Sequence, residues 1–325
     1  MIIIFYRHTE SYENIPGLLE NTTAMYYVNA FFVTSGYLHF KKYLSQDVKI
    51  SDELKNILFK LFIPVIIFSA VQYIPKTLVF HNQDFSLLSM TAAVLGGTAS
   101  WFVAALISAK ILLILMFVIF RKRFHYYFIT SIILAALSCY LTQLDSNPFP
   151  WFYKSGMAAT LFITFGGAIY YYDLLSKRRQ SVTLLISGII LIIWSLTDFS
   201  AMAALRSCKI NLWGTAVSFA SCYLSIQTAR LIPQNRILDF IGKNSILFYF
   251  FCNSVPAALC TAARKFFGIS GNYNAAILIT ALSLATTSIL IVFIRRFAPF
   301  LLDLRKIDCN RFYFLKKTVI LLRRR

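Results

Sequence analysis

His8 is the residue in this chain best suited to move a proton. It closes a short apolar stretch, MIIIFYRH, beside Arg7, and Glu10 and Glu13 follow it closely. Imidazole titrates near neutral pH, so it can take a proton from a hydroxyl and return it to a leaving group. A carboxylate can orient such a base, and Glu10 and Glu13 are the candidates for that work. The plainer reading of an isolated His at a helix end is an interfacial residue without chemistry. His39, His81 and His125 carry weaker signals, and His125 belongs to a basic loop.

Lys110 comes next, in the middle of WFVAALISAKILLILMFVIF. A charge at the centre of a membrane helix costs about 2.5–3.5 kcal/mol on insertion scales. Such a residue faces the bundle interior, as part of a site or as half of a structural ion pair. Ser35 and Gly36, in FFVTSGYLHFKK, are small residues that permit close helix packing. In IGKNSILFYFF, Gly242 and the Asn244–Ser245 pair read as a cap that opens a helix. The cysteines, Cys139, Cys208, Cys222, Cys252, Cys260 and Cys309, form no CxxC pair and read as small buried hydrophobes, not as a metal site or a disulfide framework.

The elements that must position these residues are membrane helices. The chain is 58% hydrophobic and only 14% charged, against about 25% charged in a soluble domain. Roughly 20 mainly apolar residues are needed to cross the hydrocarbon, and the apolar residues come in runs of about that length. Nine full spans are predicted over 24–40, 57–76, 101–120, 126–144, 156–173, 182–198, 210–229, 244–263 and 275–297, with a stub over 1–8. The expected architecture is therefore an all-α, polytopic membrane protein of about ten transmembrane helices, the first one truncated. A bundle over 1–302 is followed by a basic tail over 303–325. No signal peptide is indicated.

The net charge of +19 would suggest nucleic acid in a soluble protein. Its distribution excludes that class. Of 32 Lys and Arg, 23 fall in segments 41–56, 121–125, 174–181, 230–243 and the tail from Arg295, on alternate sides of the spans. This is the positive-inside pattern, and it places both termini in the cytoplasm. The tail KKTVILLRRR is expected to touch anionic lipid. The first loop, with Glu10, Glu13 and Glu20 and no Lys or Arg between His8 and Ala24, is expected outside. Trp101 and Trp151 open their spans at that outer interface.

Taken in order, these motifs resemble acyltransferase family 3, the membrane proteins that include polysaccharide O-acetylases and fucose 4-O-acetylase-like proteins. The family's first helix ends in a His, matched by His8. Its F-F-x-x-S-G-Y-L pattern is matched by Phe31, Phe32, Ser35, Gly36, Tyr37 and Leu38. A basic stretch leading to a Pro is matched by Lys55, Lys60 and Pro64, a W-F-L-type helix start by Trp101 and Phe102, and a G-K-x-S…Y pattern by Gly242, Lys243, Ser245 and Tyr249. The set spans most of the chain. It departs from the family twice. The family's Arg or Lys eleven residues before the first His would precede Met1, which suggests a truncated start. Cys252 stands where a His often follows the Tyr.

The resemblance implies ten helices in the inner cell membrane. It implies no bound cofactor, with acetyl-CoA as a cytoplasmic co-substrate and a carbohydrate hydroxyl as acceptor. His8 would be the base or a transient acyl carrier. Lys110, Lys55 or Lys60 would hold donor phosphates or a developing oxyanion. Trp101, Phe102 and Tyr37 would wall the sugar, and Ser35 and Ser245 would lie along the binding surface. Two other readings stay open. One is a transporter or flippase of lipid-linked sugars, for which Gly96–Gly97 and Gly166–Gly167 would act as helix breakers. The other is an inactive homologue.

Overall fold

The computed structural model describes residues 1–13, 27–46, 48–80, 86–147, 150–197, 203–268 and 273–302. Glu20, His81, Cys309 and the basic tail lie outside the described residues.

The fold is almost wholly helical. In chain order come α1 (Ile2–Glu13), α2 (Tyr27–Ser45), α3 (Ile50–Ile57), α4 (Ile63–Phe80), α5 (Leu87–Leu95), α6 (Trp101–Phe120) and α7 (Phe124–Leu144). They are followed by α8 (Tyr153–Tyr171), α9 (Lys177–Leu196), α10 (Leu212–Leu231), α11 (Arg236–Lys243), α12 (Ser245–Phe251), α13 (Ser254–Phe267) and α14 (Tyr273–Phe297). A small antiparallel ladder of β1 (Ala203–Ala204) and β2 (Lys209–Ile210) is the exception to the all-α expectation.

Among the described residues, five helical stretches are long and apolar enough to cross a membrane: Ile50–Tyr73, Thr98–Phe120, Phe124–Leu144, Lys177–Leu196 and Tyr273–Phe297. A sixth arises if α12 and α13 are one span, bent by 41°. The predicted continuous span over 244–263 is thus broken. Pro256 has no amide hydrogen for the Cys252 carbonyl, which lets the helix part there. The expected stub over 1–8 is also corrected, because α1 runs on to Glu13.

α8 is the axis of the bundle. Its residues 154–164 and 166–169 are buried, and it packs against α2, α6 and α7. Lipid tails are as apolar as leucine, so close contact rather than the hydrophobic effect must hold these helices together. Glycine permits that contact. A Cβ on Gly36 of α2 would enter the Ile163 carbonyl of α8, and a Cβ on Gly166 would enter the Val33 carbonyl of α2. Gly166–Gly167 therefore breaks nothing; the helix runs straight through the pair. Gly97 does turn the chain, at φ +75°, with the Trp151 ring lying 3.0 Å from where a Cβ would sit. Polar rungs add to the packing, such as the Ser131 and Thr164 hydroxyls at 2.7 Å.

α1, α13 and α14 pack together, and α12 also rests on α14. α9 pairs with α10 and buries only Ser187 of its own. The β1–β2 turn tucks into the bundle through donated hydrogen bonds. Asn29 Nδ2 donates to the Ala203 carbonyl at 3.1 Å, and the Cys139 thiol donates to the Cys208 carbonyl at 3.2 Å. Cys208, Cys222, Cys252 and Cys260 are buried thiols outside any disulfide.

Candidate active site

α1 carries its chemistry on one face and its anchors on another. Phe5, Thr9 and Glu13 recur every four residues and are buried, together with Ile4 and Glu10. The Thr9 hydroxyl donates to the Phe5 carbonyl at 3.0 Å and lies 3.2 Å from the Thr280 hydroxyl of α14. Phe5 meets Phe248 of α12 edge to face at 6.1 Å. The Tyr12 hydroxyl donates to Asn253 Oδ1, at the break between α12 and α13. His8 is half-buried on this helix.

The expected acidic outer loop is corrected by this arrangement. Glu10 and Glu13 are helical and buried, at 0% and 2% exposure. Glu10 Oε2 accepts from Arg7 Nη1 at 3.3 Å. Glu13 Oε1 faces Arg264 Nη2 of α13 at 3.8 Å. Helical residues two and five apart point to different faces, so these carboxylates do not share His8's face of α1. Glu13 ties α1 to α13 through Arg264, while Glu10 pairs with Arg7 inside α1. Arg264 was missed in the sequence because nothing local marks its partner.

An aromatic cluster gathers at the Trp101 end of α6. The Phe102 ring lies 5.7 Å from Phe31, 5.0 Å from Phe32 and 4.7 Å from Tyr249. Its backbone amide donates to the Tyr249 hydroxyl at 3.4 Å. Trp101 packs on Phe102 and on Phe152, and Trp151 stacks on Phe62 at 4.9 Å. Trp151 and Phe152 both have positive φ, 52° and 47°, a strained conformation for bulky side chains. Tyr37 is not part of this wall. It lies further along α2, edge-on to Tyr170 at 5.7 Å, and Phe31 and Phe32 take its expected place.

A second cluster forms further along α6. Lys110 lies within electrostatic reach of His39 and Lys42 on α2 and of Glu53 on α3. Lys42 pairs with Glu53, and His39 stacks on Tyr43 at 4.0 Å. His39 looked weak in the sequence, since its partner is 71 residues away in the numbering. Lys55 and Lys60 are exposed. Lys60 sits in a π-helical turn, Leu58–Phe62, just before Pro64, which has no amide hydrogen for the Lys60 carbonyl. Ser35 and Ser245 are half-buried. Ser245 opens α12, but Asn244 does not cap it: its amide donates back to the Phe240 carbonyl at 2.7 Å. The capping Asn is Asn235, whose Oδ1 accepts from the Ile237 amide at 2.8 Å.

The bundle thus holds a histidine on an anchored helix, an aromatic wall, and a half-buried cation within electrostatic reach of an acid. This is equipment for taking a proton from a hydroxyl and steadying negative charge. The acyltransferase-domain family matches residues 1–296 of the chain. No curated protein and no solved structure matches it.

Proposed function

Because the chain belongs to acyltransferase family 3 and is an acyltransferase, we propose that it moves an acetyl group from acetyl-CoA to a hydroxyl of a cell-surface or lipid-linked carbohydrate. The family match over nearly the whole chain carries this reading, together with His8 on the clamped α1. The acetyl C–S bond breaks and an ester C–O bond forms. The hydroxyl proton passes through His8 and ends on the coenzyme thiolate. Trp101 and Phe102 wall the sugar, and Lys110 steadies the developing negative charge or the donor phosphates.

The proposed topology is ten crossings of the inner cell membrane with both termini inside. The distribution of Lys and Arg supports it. So do α2, α8 and α10, of 19, 19 and 20 residues, each long enough to cross at about 1.5 Å per residue. α8 is the most shielded of them by its neighbours, so it tolerates polar residues that a lipid-facing helix would not. α1, of 12 residues, covers about 18 Å of the remaining crossing.

The test uses purified full-length protein in nanodiscs with labelled acetyl-CoA and a membrane glycan. Labelled ester on the glycan and free coenzyme are expected, and neither with His8→Ala. Full transfer by His8→Ala would end the role given to His8. No transfer by the folded wild type to any glycan would end the reading as a whole.

A further inference from the structure

The turn that ends α8 holds an acid where glycine is the usual residue. The Asp173 amide donates to the Tyr170 carbonyl at 3.1 Å, and the Leu174 amide to the Ile169 carbonyl at 3.0 Å. This is the closing pattern of a helix whose next residue turns left-handed. That residue is Asp173, at φ +48°, where a glycine would carry no steric cost. An observed strain of this kind points to a use for the side chain.

Asp173 lines an open groove of about 520 Å³, with Tyr37 and Leu44 of α2, Tyr170 and Tyr171 of α8, and Lys122 from the turn between α6 and α7. That volume falls within the roughly 300–1,000 Å³ usual for small-molecule sites. The rings are held in place. Tyr170 is edge-on to Tyr37, and Tyr171 stacks on Phe124 at 4.7 Å. Further cations lie close by in the sequence, Arg121 and Arg123 beside Lys122, and Lys177, Arg178 and Arg179 at the start of α9. Arg179 donates to the Tyr172 carbonyl, which draws α9 to this turn.

We propose that this groove binds the nucleotide end of the acyl donor, a purine ribonucleotide carrying phosphates. Tyrosine faces stack on a purine. The Asp173 carboxylate accepts from a ribose hydroxyl or the exocyclic amine, and Lys122 supplies a point charge for phosphate. An anionic lipid headgroup would use the cations but would gain nothing from the rings and would be repelled by Asp173. The proposal rests on the reading of the chain as an acyl-CoA-dependent transferase, and it moves the donor's anchor away from Lys55 and Lys60.

The test measures binding of adenosine 3′,5′-bisphosphate to the full chain in phosphatidylcholine nanodiscs. Saturable binding is expected. Asp173→Gly, which keeps the turn, and Lys122→Ala should each weaken it by about tenfold or more. Arg236→Ala, on exposed α11, should leave it unchanged. No saturable binding, or wild-type affinity in both groove variants, overturns the proposal. So does a result in which the variants lose binding only to phosphatidylglycerol vesicles. Acetyl transfer by the same preparations separates the two readings. Nucleotide bound at the groove without transfer overturns the enzyme reading alone. Transfer with an unchanged KM for acetyl-CoA in both variants overturns the groove alone.

Discussion

Glu13 and Arg264 face each other across α1 and α13, with Oε1 and Nη2 3.8 Å apart, the acid fully buried and the base half-exposed. A buried carboxylate is costly unless a partner stays with it. Arg264→Ala is therefore expected to destabilise the protein by roughly 2–3 kcal/mol. Glu13→Gln in the same background should recover part of that loss, since no charge is then left behind. Thermal melting of the single and double variants in detergent checks this. Additive losses would show that the pair does not clamp α1.

His8 should behave in the opposite way. It is half-buried, so His8→Ala should leave the melting temperature nearly unchanged. Acetyl transfer should fall by about 100- to 10,000-fold, the usual worth of a positioned base. A large loss of stability with the remaining folded fraction fully active would assign His8 to packing instead.

Glycine substitutions test the α2–α8 contact. Gly166→Ala should cost about 3 kcal/mol or more, because the new methyl has only the Val33 carbonyl to move into. Gly188→Ala is the control. A Cβ at Gly188 meets nothing within 4 Å, and alanine favours a helix interior by roughly 0.5–1 kcal/mol. Yield and melting temperature of the two variants should therefore move in opposite directions.

Lys110→Met should fold, since it removes the cost of a charge inside the bundle. Acetyl transfer should drop sharply while the melting temperature holds or rises. Unchanged transfer would leave Lys110 as a structural cation between α2, α3 and α6.

Asp145 gives a pH signature. The Asn147 amide donates to its carboxylate at 2.9 Å, and the Lys154 ammonium lies 3.3 Å away; together they hold it below the usual carboxylate range. The folded value is lower than the unfolded one of about 3.9. This contribution to stability is thus present above that pH and lost as pH falls through the folded value. The melting temperature should decline between about pH 5 and 3, and Asp145→Asn should flatten part of that slope. Parallel curves for the two proteins would show that the contact contributes nothing.

Much of the fold was legible because membrane helices write themselves locally. Runs such as 101–120 and 275–297 must be helical in hydrocarbon, where every backbone group needs an internal partner. The ends of α6 and α14 fall close to where the apolar runs end. α1 was misread because Thr9 and Glu13 look like solvent-facing polar residues, yet Thr280 and Arg264, more than 200 residues further on, give them a buried setting. The break after Phe251 was missed for a related reason. Pro256 lies in a stretch apolar enough to read as one span, and only the anchoring of Asn253 by Tyr12 and of the Phe250 carbonyl by Gln72 reveals it.

The sequence by itself determined the class of the protein, its helices, the bias of its charges and the family to which it belongs, because apolar length and ordered motifs are local properties of the chain. Only the tertiary structure decided which residues share a site. It set His39 within electrostatic reach of Lys110, put Phe31 and Phe32 instead of Tyr37 at the Trp101 end, and made Glu13 an anchor of α1. Those pairings depend on which faces of distant helices meet, and close packing at Gly36 and Gly166 fixes that for α2 and α8.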